Sequence, residues 1–217
     1  MANNTLSDDT LSDDTLSDDT LSVLDRAFYN RPALAVARDL LGCRLVRRVN
    51  GQRMAGLITE TEAYQGEEDL GCHASAGKTP RTEVMYGAPG HAYVYFTYGM
   101  HWLLNVVTDK VETPSAVLIR AMQPVEGESL MAIHRPYHAM RADWTDGPAK
   151  LTQALKIDGA FNRVDLCSPE SDLWLENGDP APEDLIERTP RVGLNAVPEP
   201  WRSIPWRFVM VNGARHG

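Results

Sequence analysis

The run His91-Ala92-Tyr93-Val94-Tyr95-Phe96-Thr97-Tyr98-Gly99-Met100-His101-Trp102 carries the strongest fold signal in the chain. Residues 92–98 and 101–108 are rich in apolar, β-branched and aromatic side chains, and Gly99 stands between them. Such segments favour extended backbone, and glycine permits the sharp reversal that joins two strands. The run therefore predicts a β-hairpin.

The tyrosines of this run have different expected positions. In a strand, Tyr93 and Tyr95 share one face, whereas Tyr98 is out of phase and immediately precedes the reversal. Ordinary core packing accounts for Tyr93 and Phe96 but less well for Tyr98. We expect Tyr98 at an exposed hairpin tip, where an aromatic side chain has a free-energy cost unless it serves a partner.

Further strands and helices are predicted on both sides of the hairpin. Asn50-Gly51 separates two strand-like segments, and Pro32, with Asn30 as its cap, opens an amphipathic segment that ends at Gly42. The patterns predict strands over 43–49, 55–64, 115–122 and 206–211, and helices over 31–41, 128–133 and 148–157. Strand pairs without regular β-α-β alternation indicate an α+β domain, a single curved antiparallel or mixed sheet with surrounding helices and a protruding β-hairpin.

The charge of the chain is unevenly distributed. The 217 residues carry a net charge of −9, and six aspartates lie in a Thr-Leu-Ser-Asp-Asp pentad repeated over residues 5–19, which leaves −3 for the rest. Leucines five residues apart fit neither a helix nor a strand. We expect residues 1–21 to be a disordered acidic tail and residues 22–217 to form the domain. An acidic docking segment is the alternative interpretation of the tail.

Composition excludes several classes of protein. A chain with 43% hydrophobic and 24% charged residues is neither disordered throughout nor collagen-like. The three cysteines are far apart, which disfavours a disulfide framework or a structural zinc site. Neither a secretory signal nor an apolar run of membrane-spanning length is apparent, so we expect a soluble, cytoplasmic protein. The net negative charge, taken whole, disfavours nonspecific coating of nucleic acid.

The segment Ile58-Thr59-Glu60-Thr61-Glu62-Ala63-Tyr64 is the first that carries chemistry. The strand period of two predicts Ile58, Glu60, Glu62 and Tyr64 on one face. Two carboxylates and a phenol would then lie together. The segment is either an edge strand with solvated charges or a strand whose carboxylate, set against aromatic rings, acts as a general base. The spacing alone does not decide between them.

The following loop, residues 65–73, contains three acidic residues and His73. These are metal-ligand types, but the loop lacks the His-Glu-x-x-His pair, and consecutive acids usually form a solvated turn. We therefore set a metal site aside. His73 is either a loop histidine or a wall of a pocket.

Several motifs in register resemble the alkyladenine DNA glycosylases, also called 3-methyladenine or methylpurine DNA glycosylases. The resemblance extends over residues 25–213. It rests on Glu60-Thr61-Glu62-Ala63-Tyr64, His73, Gly77-Lys78-Thr79-Pro80-Arg81, Tyr93-Val94-Tyr95-Phe96-Thr97-Tyr98-Gly99-Met100, Asn105, Val117-Leu118-Ile119-Arg120-Ala121, Gly147-Pro148-Ala149-Lys150-Leu151-Thr152-Gln153-Ala154-Leu155, Arg191-Val192-Gly193 and Arg207-Phe208.

The resemblance implies a monofunctional glycosylase that begins base excision repair. Such an enzyme flips 3-methyladenine, 7-methylguanine, hypoxanthine or 1,N6-ethenoadenine out of double-stranded DNA and hydrolyses the N-glycosidic bond. It needs no cofactor and no metal, because water is the nucleophile. The implied state is a monomer, acting at the nucleoid of a bacterium or in the nucleus of a eukaryote.

The resemblance also assigns the chemical groups. Glu62 matches the general base that activates water, and Arg120 matches a residue beside that water. Glu60 does not match the base, and we interpret it as structural. A carbohydrate hydrolase using Glu60 and Glu62 is disfavoured, because neighbours on one strand face lie on the same side of any substrate, about 7 Å apart.

The remaining matches form the binding site. Tyr64, His73 and Tyr95 correspond to the walls that stack on the flipped base, which aromatic faces favour when the base is cationic. Asn105 corresponds to a residue that rejects guanine, and Tyr98 to the wedge that fills the gap in the duplex. A module that binds flipped bases without cutting is the alternative, but it would not need Glu62.

Contacts to the DNA backbone are expected from Lys78, Arg81 and Lys150. We expect these three to lie on one side of the domain with Arg120 and Lys156. Thr82 departs from the asparagine that the family commonly has after Thr-Pro-Arg, which puts the DNA contact of that loop in doubt. The acidic tail lies outside the family match, and we expect it to repel DNA and speed release.

Overall fold

The computed structural model describes residues 22–135, 144–168 and 170–211. The acidic tail predicted over residues 1–21 lies outside the described residues. No helix in the described ranges is both long enough and apolar enough to cross a lipid bilayer.

One antiparallel sheet dominates the described part of the chain. Its central path has the order β3-β4-β5-β2-β1-β6, and β8 joins β2 and pairs with β7. The α+β prediction is therefore confirmed, with a curved sheet that is antiparallel at every pairing of named strands. The strands are β1 (Arg44–Val49), β2 (Gln52–Gln65), β3 (Ala92–Thr97), β4 (His101–Val107), β5 (Ser115–Glu126), β6 (Leu173–Glu176), β7 (Ile186–Thr189) and β8 (Arg207–Met210).

Four short α-helices accompany the sheet in the described ranges: α1 (Arg26–Tyr29), α2 (Ala33–Asp39), α3 (Glu128–His134) and α4 (Pro148–Ala154). The helix predicted over 31–41 begins later than expected. Pro32 is its extended N-cap residue, and Asn30 closes α1 instead of capping α2. Proline disfavours helical backbone at the residue before it, so Arg31 lies between the two helices.

The main core packs the apolar stripes of α2 and α4 against the sheet. Ile58 belongs to this core, together with Ala63, although the strand period places it with Glu60 and Glu62. The pairing of β2 with β5 shifts between Ile58 and Glu60, a β-bulge that breaks the alternation. The prediction was thus wrong for Ile58, whereas Glu62 and Tyr64 both meet the pocket.

Candidate active site

A cavity of about 350 Å³ opens beside β2, β3, β4 and β5. The seven residues predicted as catalytic, wall, selectivity and wedge residues all line it: Glu62, Tyr64, His73, Tyr95, Tyr98, Asn105 and Arg120. These residues span 59 positions of the sequence. Adjacent antiparallel strands bring five of them together, whereas His73 begins a short 3-10 helix and Tyr98 lies in the turn between β3 and β4. The structure therefore joins the separate motifs into one site.

Glu62 is fully buried and is held by two hydrogen bonds and one ion pair. Its Oε1 accepts from the backbone N–H of Val192 at 2.7 Å and lies 3.3 Å from Nη1 of Arg120. Its Oε2 accepts from the Tyr64 hydroxyl at 2.7 Å. A carboxylate has about four lone-pair sites, so these partners leave acceptor capacity for a further proton donor such as water.

Arg120 is a buried cation placed between two carboxylates. Its Nε donates to Oε1 of Glu60 at 2.5 Å, and its side chain is 13% exposed. Arg207 donates to the same oxygen of Glu60 at 2.6 Å. Glu60 therefore accepts hydrogen bonds from two guanidinium groups, and its bond to Arg120 holds that side chain beside Glu62. With its side chain largely buried, Arg120 serves the two carboxylates of the site, and its placement on one side of the domain with Lys78, Arg81, Lys150 and Lys156 stays a prediction.

The aromatic walls pack against one another along the cavity. The ring centroids of Tyr93 and Tyr95 are 5.3 Å apart, and His73 meets Tyr95 edge-on at 4.6 Å. Burial, together with the charge of Glu62, raises the pKa of Tyr64 well above its ordinary value. The Tyr64 hydroxyl therefore keeps its proton and remains a donor to Glu62.

The imidazole of His73 has protein partners on both nitrogens. Nε2 lies 3.2 Å from Nη2 of Arg81, which has only protons to offer, so Nε2 accepts. Nδ1 then carries the proton and donates to the Tyr93 hydroxyl at 2.9 Å. Burial, and next the charge of Arg81, lower the pKa of His73 to about 4. This wall is uncharged at neutral pH and does not repel a cationic purine.

The lowered pKa predicts a specific acid sensitivity. Folding favours neutral His73, so its contribution to stability is complete above the ordinary pKa of 6.5 and is lost as the pH falls towards 4. Between pH 7 and pH 4, wild type should lose on the order of 2 kcal/mol more unfolding free energy than His73→Gln, after allowance for partial exposure. Urea unfolding at both pH values measures this difference. Equal losses in the two proteins would contradict it.

Asn105 is buried and lies directly opposite Tyr93 in the pairing of β3 with β4. Its Nδ2 donates to the backbone oxygen of Tyr93 at 3.1 Å. This bond sets the orientation of the amide at the cavity wall, where it would meet a substituent on the base.

Tyr98 stands at the tip of the hairpin, as the sequence predicts. β3 ends at Thr97 and β4 begins at His101, and Tyr98 is 82% exposed with a φ of +52°. Left-handed backbone is unfavourable for a bulky residue. Phe96, which core packing was expected to bury, is instead 47% exposed and rests against Trp102. The tip therefore presents aromatic surface.

The predicted backbone contacts have differing surroundings. Lys78 pairs with Glu112 at 3.0 Å and Lys150 with Asp146 at 2.7 Å, both at exposed positions. Arg81 lies over the Tyr95 ring, with 4.9 Å from its guanidinium carbon to the centroid. Arg81 thus supports the pocket walls from outside the cavity, and its contact with DNA stays a prediction.

Thr82 is buried beneath the loop that carries Lys78 and Arg81. Its hydroxyl donates to the backbone oxygen of Gly77 at 2.8 Å and accepts from the N–H of Thr79 at 2.8 Å. Two ends of the loop are therefore tied by one hydroxyl. Where the family commonly has asparagine, threonine here holds the loop from within.

Arg191, Asp69 and Val192 are functional candidates that sequence reasoning did not single out. The Asp69–Arg191 ion pair is fully buried, with Nη1 of Arg191 2.5 Å from Oδ2 of Asp69. Val192 follows Arg191 directly. The sequence signal was the Arg191-Val192-Gly193 motif, to which no role was attached. Its partner Asp69 lies in the acidic loop that was interpreted as a solvated turn.

A buried carboxylate, a cavity walled by aromatic rings and an exposed aromatic residue at a hairpin tip are features expected of an enzyme that extracts a base from a nucleic acid and hydrolyses its bond to the sugar. The comparisons agree. The family model described as methylpurine-DNA glycosylase (MPG) matches residues 27–214, and the chain belongs to this family. It is accordingly a DNA glycosylase for alkylated bases, a hydrolase of N-glycosyl bonds.

Curated relatives carry the same description. A protein of Methanocella arvoryzae is 49% identical over 86% of this chain and 91% of its own length. One of Carboxydothermus hydrogenoformans is 48% identical over 88% of this chain and 96% of its own length. One of Myxococcus xanthus is 49% identical over 85% of this chain and 88% of its own length. Each is named "Putative 3-methyladenine DNA glycosylase".

Proposed function

We propose that the protein is a monofunctional DNA glycosylase that flips alkylated or deaminated purines out of duplex DNA and hydrolyses their N-glycosidic bonds. The substrates are 3-methyladenine, 7-methylguanine, hypoxanthine and 1,N6-ethenoadenine, and their removal begins base excision repair. The observation that carries the proposal is the fully buried carboxylate of Glu62 in an aromatic cavity.

Glu62 acts as the general base. Val192, Tyr64 and Arg120 fix both of its oxygens, and the free acceptor capacity of the carboxylate takes a proton from the attacking water. Its negative charge also stabilises the positive charge that develops on the sugar in the transition state. Arg120, aligned by Glu60, orients this carboxylate.

The pocket favours alkylated purines because aromatic faces attract a positively charged base. Tyr64, Tyr95 and uncharged His73 offer aromatic surface to a cationic N3- or N7-alkylated base, an attraction on the order of 2 kcal/mol when desolvated. Asn105 refuses guanine at the wall. Among the described residues that line the cavity there is no lysine, which supports hydrolysis over Schiff-base strand cleavage.

Binding to DNA places the base in this cavity. Tyr98 enters the duplex as the nucleotide leaves, and Lys78, Arg81 and Lys150 contact the backbone. The enzyme acts on double-stranded DNA as a monomer, a proposal supported by the fact that one chain supplies the general base, the walls and the wedge.

The decisive experiment is single-turnover release of base from duplexes that contain one lesion each. Wild-type protein in excess should release hypoxanthine, 1,N6-ethenoadenine and the two methylated purines as free bases, leaving an intact abasic strand. Absence of release from all four duplexes would contradict the proposal and leave a module that binds modified bases without cutting. Strand cleavage without added alkali would contradict the monofunctional assignment.

The acidic tail predicts a salt-dependent effect on affinity. Deletion of residues 1–21 removes six aspartates, so like-charge repulsion of the phosphates falls. We expect about three- to tenfold tighter binding at 50 mM salt and little change at 300 mM, where screening is strong. Titration of a labelled duplex with both proteins measures this. A Kd unchanged by the deletion at low salt would end the hypothesis.

A further inference from the structure

The fully buried ion pair of Asp69 and Arg191 adjoins the Glu62 site. Arg191 Nη1 and Nη2 donate to the two oxygens of Asp69 at 2.5 and 2.7 Å. Burial of two charges is costly unless their geometry and remaining hydrogen bonds are satisfied. Because the pair lies beside Glu62, we ask whether it also positions the catalytic residues.

Arg191 reaches the strand segment that carries Glu62. Its Nη1 also donates to the backbone oxygen of Ala63 at 3.0 Å, the residue between Glu62 and Tyr64. Its guanidinium carbon lies 4.7 Å from the centroid of the Tyr64 ring and 5.1 Å from that of Trp206. The planar guanidinium is thus set between two aromatic rings, an arrangement that lysine cannot reproduce.

Tyr64 and Val192, which donate hydrogen bonds to Glu62, are both positioned by the Arg191 guanidinium. Tyr64, whose ring lies on Arg191, donates its hydroxyl to Oε2 of Glu62. Val192 is the next residue after Arg191, and its N–H donates to Oε1. A single side chain therefore sets the ring that offers one proton and the chain segment that offers the other.

Asp69 ties this arrangement to the turn after β2. Its Oδ2 accepts from the N–H of Gln65 at 3.2 Å and its Oδ1 from that of Gly71 at 2.9 Å. A Cβ at Gly71 would lie 2.7 Å from Arg191 Nη2, so the absence of a side chain permits the close approach. The turn and the guanidinium are therefore fitted to each other.

We propose that Arg191 is a positioning residue for hydrolysis of the N-glycosidic bond, because it fixes both the Tyr64 hydroxyl and the Val192 amide against the Glu62 carboxylate. This inference rests on the proposed role of Glu62. Although Val192 lines the cavity, Arg191 does not. It acts by limiting the rotation of Glu62, so that the free acceptor position of the carboxylate stays aimed at the attacking water.

The test compares single-turnover release with binding in folded protein. Arg191→Lys keeps the charge beside Asp69 but loses the planar stack and the paired hydrogen bonds, and should slow release about 100-fold. Tyr64→Phe keeps the stacking ring and removes one donor, and should slow release about tenfold. The Kd for a duplex with a non-cleavable tetrahydrofuran abasic site should stay within about twofold for both variants.

Tyr86→Phe is the matched control. The Tyr86 hydroxyl also donates to a glutamate, Glu67, at 2.5 Å, but neither residue lines the catalytic cavity. The rate of base release by Tyr86→Phe should equal that of wild type. If Arg191→Lys does not fold, Trp206→Leu removes one side of the stack at a partly exposed position and should slow release several-fold.

The outcomes separate this inference from the proposed function. A wild-type release rate in Tyr64→Phe, in folded Arg191→Lys or in Trp206→Leu overturns the positioning role. So does a loss of rate that follows the folded fraction or the Kd, since that is the mark of a purely structural pair. Failure of wild type to release any base, or full activity of Glu62→Gln, contradicts the proposed function instead.

Discussion

Replacement of Glu62 by glutamine should slow single-turnover release of hypoxanthine from a duplex by about 1,000-fold, within the range of general-base catalysis. The carboxamide cannot take a proton from water and carries no negative charge to stabilise the cationic sugar. It also presents an NH₂ group where Val192, Arg120 and Tyr64 now offer only protons. Base release is measured by alkaline cleavage of the abasic strand.

The control for this substitution is Glu67→Gln. Glu67 is likewise bound to a tyrosine hydroxyl, yet it is exposed and outside the cavity. Its release rate should match wild type. Binding of the non-cleavable abasic duplex should be retained in Glu62→Gln, because the wedge and the walls are unchanged. A Glu62→Gln protein that released base at the wild-type rate would contradict the assignment of the base.

The sequence predicted the components of the site better than their connections. Alternation in β2 placed Glu62 and Tyr64 on one face correctly, because the pairing with β5 is regular from Thr61 to Gln65 and obeys the period of two. It failed at Ile58, where a bulge in the pairing with β5 resets the alternation. A bulge depends on both partner strands, so one strand's pattern does not reveal it.

Long-range pairs were the main omission. Asp69 and Arg191 are 122 positions apart, and nothing in either local pattern identifies the other. Strands β6 and β7 were also not predicted, since each has only four residues and depends on pairing with β1 or β8. Short elements that tertiary contacts stabilise leave a weak local signal.

Replacement of Tyr98 by alanine should remove the wedge and leave the chemistry intact. With the lesion opposite thymine, we expect single-turnover release to fall about 10- to 100-fold, because the unstacked duplex loses the side chain that fills its gap. The rise in 2-aminopurine fluorescence that reports extrusion on binding should also be lost. Opposite an abasic site, where extrusion costs less, the loss should be under about threefold.

The backbone of Tyr98 supplies an independent test of the same role. Its φ of +52° is unfavourable for tyrosine and tolerated by asparagine, so Tyr98→Asn should raise the unfolding free energy by up to about 1 kcal/mol while it slows release from duplex DNA. Tyr98→Phe keeps the ring and should retain wild-type release. A stabilised Tyr98→Asn protein with full activity on a paired lesion, or an unchanged fluorescence rise in Tyr98→Ala, would exclude intercalation. An exposed aromatic ring on left-handed backbone costs stability, and the proposed insertion of this ring into a base pair beside the cavity would explain why that cost is retained.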